Sequence, residues 1–213
     1  KLLIIDNQST DKTIDIITKS GLPFKVISKK DLSFNDGIKK GLKMIKAKYF
    51  TILSTDDVIE DKDYFKKLIF TLKKNNDVDI AFPDYGEIIG NDYYKKKIEN
   101  DFKKIAYNII VPGLGWIAKK EIITFSHFPA NLEASSDYYF LLNLYKQGFK
   151  FLRVNGPRYY LRIGGNSFLK AFKSFSERKE ISIMFGGNFF YAYIRYYIVC
   201  FKFIIKFKIL KIY

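Results

Sequence analysis

The chain has 213 residues, of which 48% are hydrophobic, 28% charged and 18% aromatic; it is too apolar for a disordered protein and long enough for one sizeable core. Thirteen Gly, five Pro and a single Cys, Cys200, exclude collagen-like, mucin-like and disulfide-scaffold classes, and a lone thiol fits a reducing compartment. Lys and Arg number 37 against 22 Asp and Glu, a formal charge of +15 that implies an anionic partner: nucleic acid, anionic lipid headgroups or a phosphorylated small molecule.

In chain order, Leu2 to Ile5 is a short apolar run of the kind buried on both faces of a sheet. The polar turn DNQSTDKT follows, and Asp11 can cap a helix carrying Ile14, Ile16 and Ile17, with Gly21 just past its end. FKVIS (24–28) reads as a second strand, and Asp36 opens a helix with Ile38, Leu42 and Ile45 on one face. YFTILS (49–54) is a strand that stops at Thr55-Asp56-Asp57. A helix with Tyr64, Phe65, Leu68, Ile69 and Leu72 follows, then the strand VDIAFP (78–83). Strands alternating with amphipathic helices predict a mostly parallel, doubly wound α/β sheet. Further on, DYGEIIGNDYYKKKI reads as a small antiparallel ribbon, DYYFLLNLYKQGF (137–149) as a helix ended by Gly148, and KFLRV and RYYLRI as two more strands.

Ligands of an open α/β sheet bind at the carboxyl ends of its strands. Asp6 stands at one such end and Asp56-Asp57 at another, and adjacent acids there can hold Mg2+ or Mn2+ or can simply cap a turn. Asp137 begins a helix, where a cap or a functional acid is equally at home. Arg162 with Gly164-Gly165 can offer a cation and backbone N–H groups to a diphosphate, or form a plain turn. His127 is the single histidine, and without a second His or Cys nearby it reads as a loop residue.

These residues resemble a family. LLIIDNQSTDKTIDII is similar to the "vvDdgStDgT" signature of family 2 glycosyltransferases with the GT-A fold, and FNDGIKKGLKMIKAKYFTILSTDD to their stretch ending in "LnsDD". PGLGWIAKKEI, EASSDYYFLLNLYKQGFKF and YYLRIGGNSF resemble the acceptor-side half, in the same order, so the resemblance spans about residues 1 to 168. It implies a GT-A-like domain at 1–167, and a nucleotide-sugar donor, UDP-linked, with a glycan or lipid-linked acceptor. It implies roles residue by residue: Asp6 at the uracil, Asp36 near the nucleotide or donor sugar, Ser54 and Arg162 at the donor, Asp56 and Asp57 at Mn2+ or Mg2+, and Asp137 as the base of an inverting transfer. Ser54 departs from the family by replacing the first acid of the DXD motif, Ser136 replaces the Glu that often precedes the base, and Gly113 stands where many relatives have His. The family's first strand and helix are not represented, and the chain opens at Lys1, which together imply an N-terminal truncation.

The charge gathers in the tail. Between Phe168 and Tyr213 stand nine Lys/Arg and two acids, net +7, together with ten aromatics in the last 25 residues. On a helix, Arg195, Lys202 and Lys206 share one line, while Lys208 and Lys211 fall in the last turns. A cationic stripe on an aromatic helix fits a membrane-surface element at 168–213, or a helix packed on the protein's own core or on a second copy. The longest charge-free run near the end, Ile181 to Ile194, is 14 residues. A span needs roughly 20, and the opening KLLIID is no signal peptide. The expected location is therefore the inner face of the plasma membrane, peripherally bound, in cell-surface polysaccharide synthesis. A catalytically inactive remnant of the fold and a nucleic-acid module built on the tail are the alternatives. Nucleic acid is not the expected partner, because no RRM, OB or helix-turn-helix pattern accompanies the tail.

Overall fold

The computed structural model describes residues 1–96, 101–164 and 169–209. Gly165, the expected boundary at residues 167 and 168, and Lys211 lie outside the described residues. The order of elements is β1 (Leu2–Asp6), α1 (Thr13–Lys19), β2 (Phe24–Ser28), α2 (Phe34–Leu42), β3 (Tyr49–Phe50), β4 (Val58–Ile59), α3 (Tyr64–Lys74), β5 (Ile80–Ile89), β6 (Asp92–Lys95), β7 (Ile117–Lys119), α4 (Ser136–Lys146), β8 (Phe151–Arg162), α5 (Ala171–Met184) and α6 (Phe189–Phe203).

β1 and β2 pair in parallel, as a βαβ unit requires, and α2 lies on β1 with Gly37 and Gly41 facing Ile5. A second sheet runs β3-β7-β5-β8-β4, with β6 hairpinned onto β5. Its central pair, β5 and β8, is parallel; the other pairings in it are antiparallel. The expected α/β class and antiparallel ribbon are therefore present, and among the described residues β1–β2 and β5–β8 are the parallel pairs. The ribbon turns at Gly90, whose positive φ of 61° suits glycine.

Alternation along the strands gives each face of this sheet its own core. Ile80, Phe82 and Ala118 belong to one cluster, where Phe140 of α4 stacks on Trp116 (centroids 4.9 Å) and Phe128 (5.0 Å). Ala81, Ile117 and Tyr159 face the other way, onto Tyr64, Leu68 and Leu72 at i, i+4 and i+8 of α3. Each of the Ile, Leu and Phe side chains among these stabilises the fold by roughly 1.5–3 kcal/mol on burial.

Three local expectations change. YFTILS pairs only at Tyr49–Phe50, because the next residues leave the sheet: the Ile52 carbonyl accepts from Gly115 N (3.0 Å) and the chain turns to expose Thr55 and Asp56. The two expected strands after Gly148 are one strand, β8, because a register shift opposite Pro83/Asp84 absorbs Asn155-Gly156-Pro157. The buried Asp84 carboxylate holds that irregularity, accepting from Arg153 Nε (2.7 Å) and Gly156 N (3.2 Å). The helix assigned to Asp36 begins at Phe34; Ser33 is its cap, and its hydroxyl accepts from Asp36 N at 3.2 Å.

The tail is helical, as expected, but it divides. α5 and α6 meet at Gly186-Gly187-Asn188, and α6 passes into a π turn at Ile204–Ile209. α5 joins the main core through Ile181 and seats the buried Glu177 under the loop before α4, where its carboxylate accepts from Glu133 N and Ala134 N, both at 3.0 Å. Among the described residues no helix is long and apolar enough to cross a membrane.

Candidate functional site

Asp6 ends β1 with only 6% of its surface exposed. Its carboxylate accepts from the hydroxyls of Ser28 (2.6 Å) and Ser9 (2.5 Å) and from Ser9 N (3.1 Å), and these bonds hold it below the ordinary aspartate pKa. Parallel pairing of β1 with β2 makes this possible, since it sets Asp6 opposite Ser28. Asp36, in the first turn of α2, accepts from Leu32 N (3.1 Å) and pairs with Lys40 (3.0 Å), and both contacts lower its pKa.

Asp56 and Asp57 part company. Asp56 is exposed; its Oδ1 accepts from Ser54 Oγ at 2.5 Å, and its other oxygen has no partner among the described residues. Asp57 turns inward, where Oδ2 accepts from Tyr159 OH (2.7 Å) and Oδ1 from Arg162 N (3.0 Å), while burial raises its pKa. Arg162 directs its guanidinium at backbone oxygens, to Asp56 O at 3.2 Å and Gly90 O at 3.4 Å. It therefore ties the β5–β6 turn to the Asp56 loop. Burial and the neighbouring Asp57 push the Tyr159 hydroxyl upward, so it stays a neutral donor.

Among the described residues no group of three or more His, Cys, Asp or Glu gathers as a metal cage. Mg2+ and Mn2+ do not need one, since one or two carboxylates plus substrate phosphates suffice. The exposed, half-bonded Asp56 fits that role. Each oxygen of Asp57 already accepts a hydrogen bond.

Asp137 sits in the first turn of α4, where the dipole favours its charge; its Oδ1 accepts from Tyr138 N at 2.8 Å. It lines a small pocket of about 230 Å³ with Ile52, Phe34, Gly113, Trp116 and Phe140. Gly113 presses on it so closely that a Cβ there would lie 2.2 Å from Asp137 Oδ2. Trp116 Nε1 donates to Gly113 O at 2.8 Å and fixes that loop. Gly115, with φ +82°, passes between the Tyr64 hydroxyl, which donates to its carbonyl, and the Tyr159 ring, which a Cβ would meet at 2.7 Å.

The structure thus places the segment that carries Ser54 and Asp56 beside the loop that holds Asp137, through Gly115 and Ile52. It also shows residues that the sequence reading did not single out. Asn35, fully buried, donates to Ser136 Oγ (2.8 Å), and Tyr159 organises the Asp57 turn. Neither carries a sequence signal: the burial of Asn35 and its partner Ser136 are set by the fold, and Tyr159 is one aromatic among several in its strand. His127 is a buried structural residue whose Nδ1 accepts from Thr124 N at 3.1 Å, with burial lowering its pKa.

The fold matches solved structures across most of this chain. S. aureus TarS 1–349 is 16% identical with TM-score 0.63, over 85% of this chain and 55% of that one. Its complex with UDP gives 16% and 0.62, over 87% and 61%. The mannosyltransferase PcManGT from Pyrobaculum calidifontis, in complex with GDP-Man and Mn2+, gives 11% and 0.64, over 86% and 55%. The chain thus spans between half and two thirds of the length of these structures, and its fold is that of GT-A glycosyltransferases. No curated protein sequence matches it. The family model described as Glycosyl transferase family 2 matches residues 1–130, more than half of the chain. The chain belongs to glycosyl transferase family 2.

Proposed function

We propose that the chain transfers a sugar from a nucleotide-diphosphate donor, UDP-linked, to a hydroxyl of a glycan or lipid-linked acceptor, with inversion, in cell-surface polysaccharide synthesis. The observation that carries this reading is the junction just described: Asp137 at a helix N-terminus, facing a pocket whose opposite wall, Ile52, leads directly into Ser54 and Asp56. Family membership supports the reaction class, and the UDP and GDP-Man complexes of TarS and PcManGT support the donor class.

In this reading Asp137 takes the proton from the acceptor hydroxyl as that oxygen bonds to the anomeric carbon and the nucleoside diphosphate departs. No covalent nucleophile is required. Asp6, kept ionised by Ser9 and Ser28, receives the base, and Asp36 and Ser54 shape the donor side. Arg162 steadies the loop that meets the diphosphate. A divalent cation held by Asp56 and the donor phosphates would neutralise charge on the departing diphosphate. Asp57 supports that loop from beneath through Tyr159.

The tail is assigned to a membrane surface. Phe190, Ile194, Tyr197 and Phe201 recur at i, i+4, i+7 and i+11 on the exposed side of α6, an apolar stripe unlike the face that packs on α5. This reading makes 168–213 the surface element of a 1–167 domain at the inner face of the plasma membrane.

Calorimetric titration of UDP, with and without Mn2+, tests the donor site. Mn2+-dependent binding in the wild type that disappears in Asp56→Ala is the expected result, with binding retained in Asp137→Asn. Equal UDP binding in wild type and Asp56→Ala removes the metal assignment, and full sugar transfer by Asp137→Asn removes the base.

A further inference from the structure

A second cleft lies on the other side of α4. Asp137 and Tyr138 are consecutive, yet they line different cavities: the first faces the pocket described above, the second a larger opening of about 470 Å³ between α5, α6 and residues 107–108. Arg178 and Lys179 of α5, Arg195 of α6 and Asn108 converge there, walled by Tyr107, Tyr138, Phe175 and Tyr196. No acid lines it. Among the described residues none of the three cations forms an ion pair with a carboxylate.

The acids nearest in sequence are committed elsewhere: Glu177 to the backbone of Glu133 and Ala134, and Glu180 to the Ser176 hydroxyl at 3.1 Å. Lys179 lies over Tyr193 (4.4 Å) and Tyr196 (4.9 Å), which leaves the two arginines as the bare charges. Arg178 Nε is buried and has no acceptor among the described residues. A buried guanidinium donor without a partner is costly. A positively charged, aromatic-walled cleft with such a donor matches an oxyanion that accepts several hydrogen bonds at once.

We propose that this cleft is a binding site for a phosphate or diphosphate group, separate from the donor site and gripped by Arg178 and Arg195 from the two tail helices. The group is either the headgroup phosphate of an anionic lipid, which the neighbouring aromatic face of α6 would bring close, or that of a soluble phosphorylated molecule. The site does not depend on the glycosyltransferase reading. Through Tyr138, whose hydroxyl donates to Ala106 O at 3.1 Å, it touches the helix turn that carries Asp137.

The test uses the full chain without divalent cations, titrated with inorganic pyrophosphate, with phosphatidylglycerol vesicles and with phosphatidylcholine vesicles. Wild type is compared with Arg178→Gln, Arg195→Gln and Lys66→Gln; Lys66 is exposed on α3, outside both the cleft and the tail, so its variant loses the same charge elsewhere. Either cleft variant is expected to weaken binding about tenfold or more, as befits loss of a charge-assisted hydrogen bond, and Lys66→Gln by less than about twofold. Pyrophosphate binding with this pattern identifies a soluble phosphate as the source, and binding of phosphatidylglycerol vesicles alone identifies the lipid. No binding to either, equal binding to phosphatidylcholine, or equal losses in all three variants overturns the site. Thermal melting checks each variant, and if Arg178→Gln unfolds, Arg195→Gln decides. Mn2+-dependent UDP binding, measured in parallel, stays unchanged in the cleft variants and keeps this outcome separate from that of the donor site.

Discussion

Asn35, at the start of α2, donates its side-chain amide to the Ser136 hydroxyl at 2.8 Å, although 101 residues separate them. The same amide donates to Pro129 O at 2.5 Å, so one buried side chain pins the N-terminus of α2 to the residue preceding Asp137. Asn35→Ala strips buried Ser136 and the Pro129 carbonyl of this donor, and should lower stability by about 1–3 kcal/mol. Chemical denaturation of the two proteins measures it; an unchanged midpoint would show that water replaces the amide without cost.

Gly113 positions Asp137 by having no side chain. A methyl at Gly113 would sit 2.2 Å from the carboxylate, and the loop behind it is fixed by Trp116. Gly113→Ala should therefore displace the acid and reduce kcat by about 10²-fold. UDP affinity, measured by calorimetry, should stay as in the wild type. A parallel loss of UDP binding would mean that the substitution disturbs the donor loop rather than the acid.

The two neighbouring aspartates should separate experimentally. Asp56→Ala, at an exposed position, should leave the melting temperature within experimental scatter while abolishing Mn2+-dependent UDP binding. Tyr159→Phe removes the hydroxyl that Asp57 accepts from and should cost about 1–3 kcal/mol of stability. If Asp56→Ala proved the more destabilising of the two, the division of labour between them would be reversed.

Asp6 gives a pH signature. Its folded-state pKa lies below the ordinary 3.8, through the Ser28 and Ser9 hydroxyls first, so its contribution to stability is present above 3.8 and is lost as pH falls through the folded value. Asp6→Asn should melt below the wild type at neutral pH, and the gap should close as the pH is lowered beneath about 4. A gap independent of pH would assign the loss to packing instead of charge.

The α/β class, the helices, the antiparallel ribbon and Asp6 at the end of β1 were legible because each rests on local chemistry: apolar period and turn residues. Asp6, Asp56 and Asp137 stood out for the same reason, as acids following a strand or opening a helix. β8 was not legible as one strand, because the Asn155-Gly156-Pro157 break is bridged only by Asp84, which comes from another strand.

The sequence by itself determined the family, the alternation of strands and helices, and a basic aromatic tail, since motifs and periodicity are properties of neighbouring residues. Tertiary structure alone decided that Asp57 turns inward to Tyr159 while Asp56 faces solvent, that Asn35 clamps Ser136, and that Arg178 and Arg195 meet across two helices. Those outcomes depend on partners distant in the chain, and whether a polar group is paired or left bare is fixed only when packing removes water from around it.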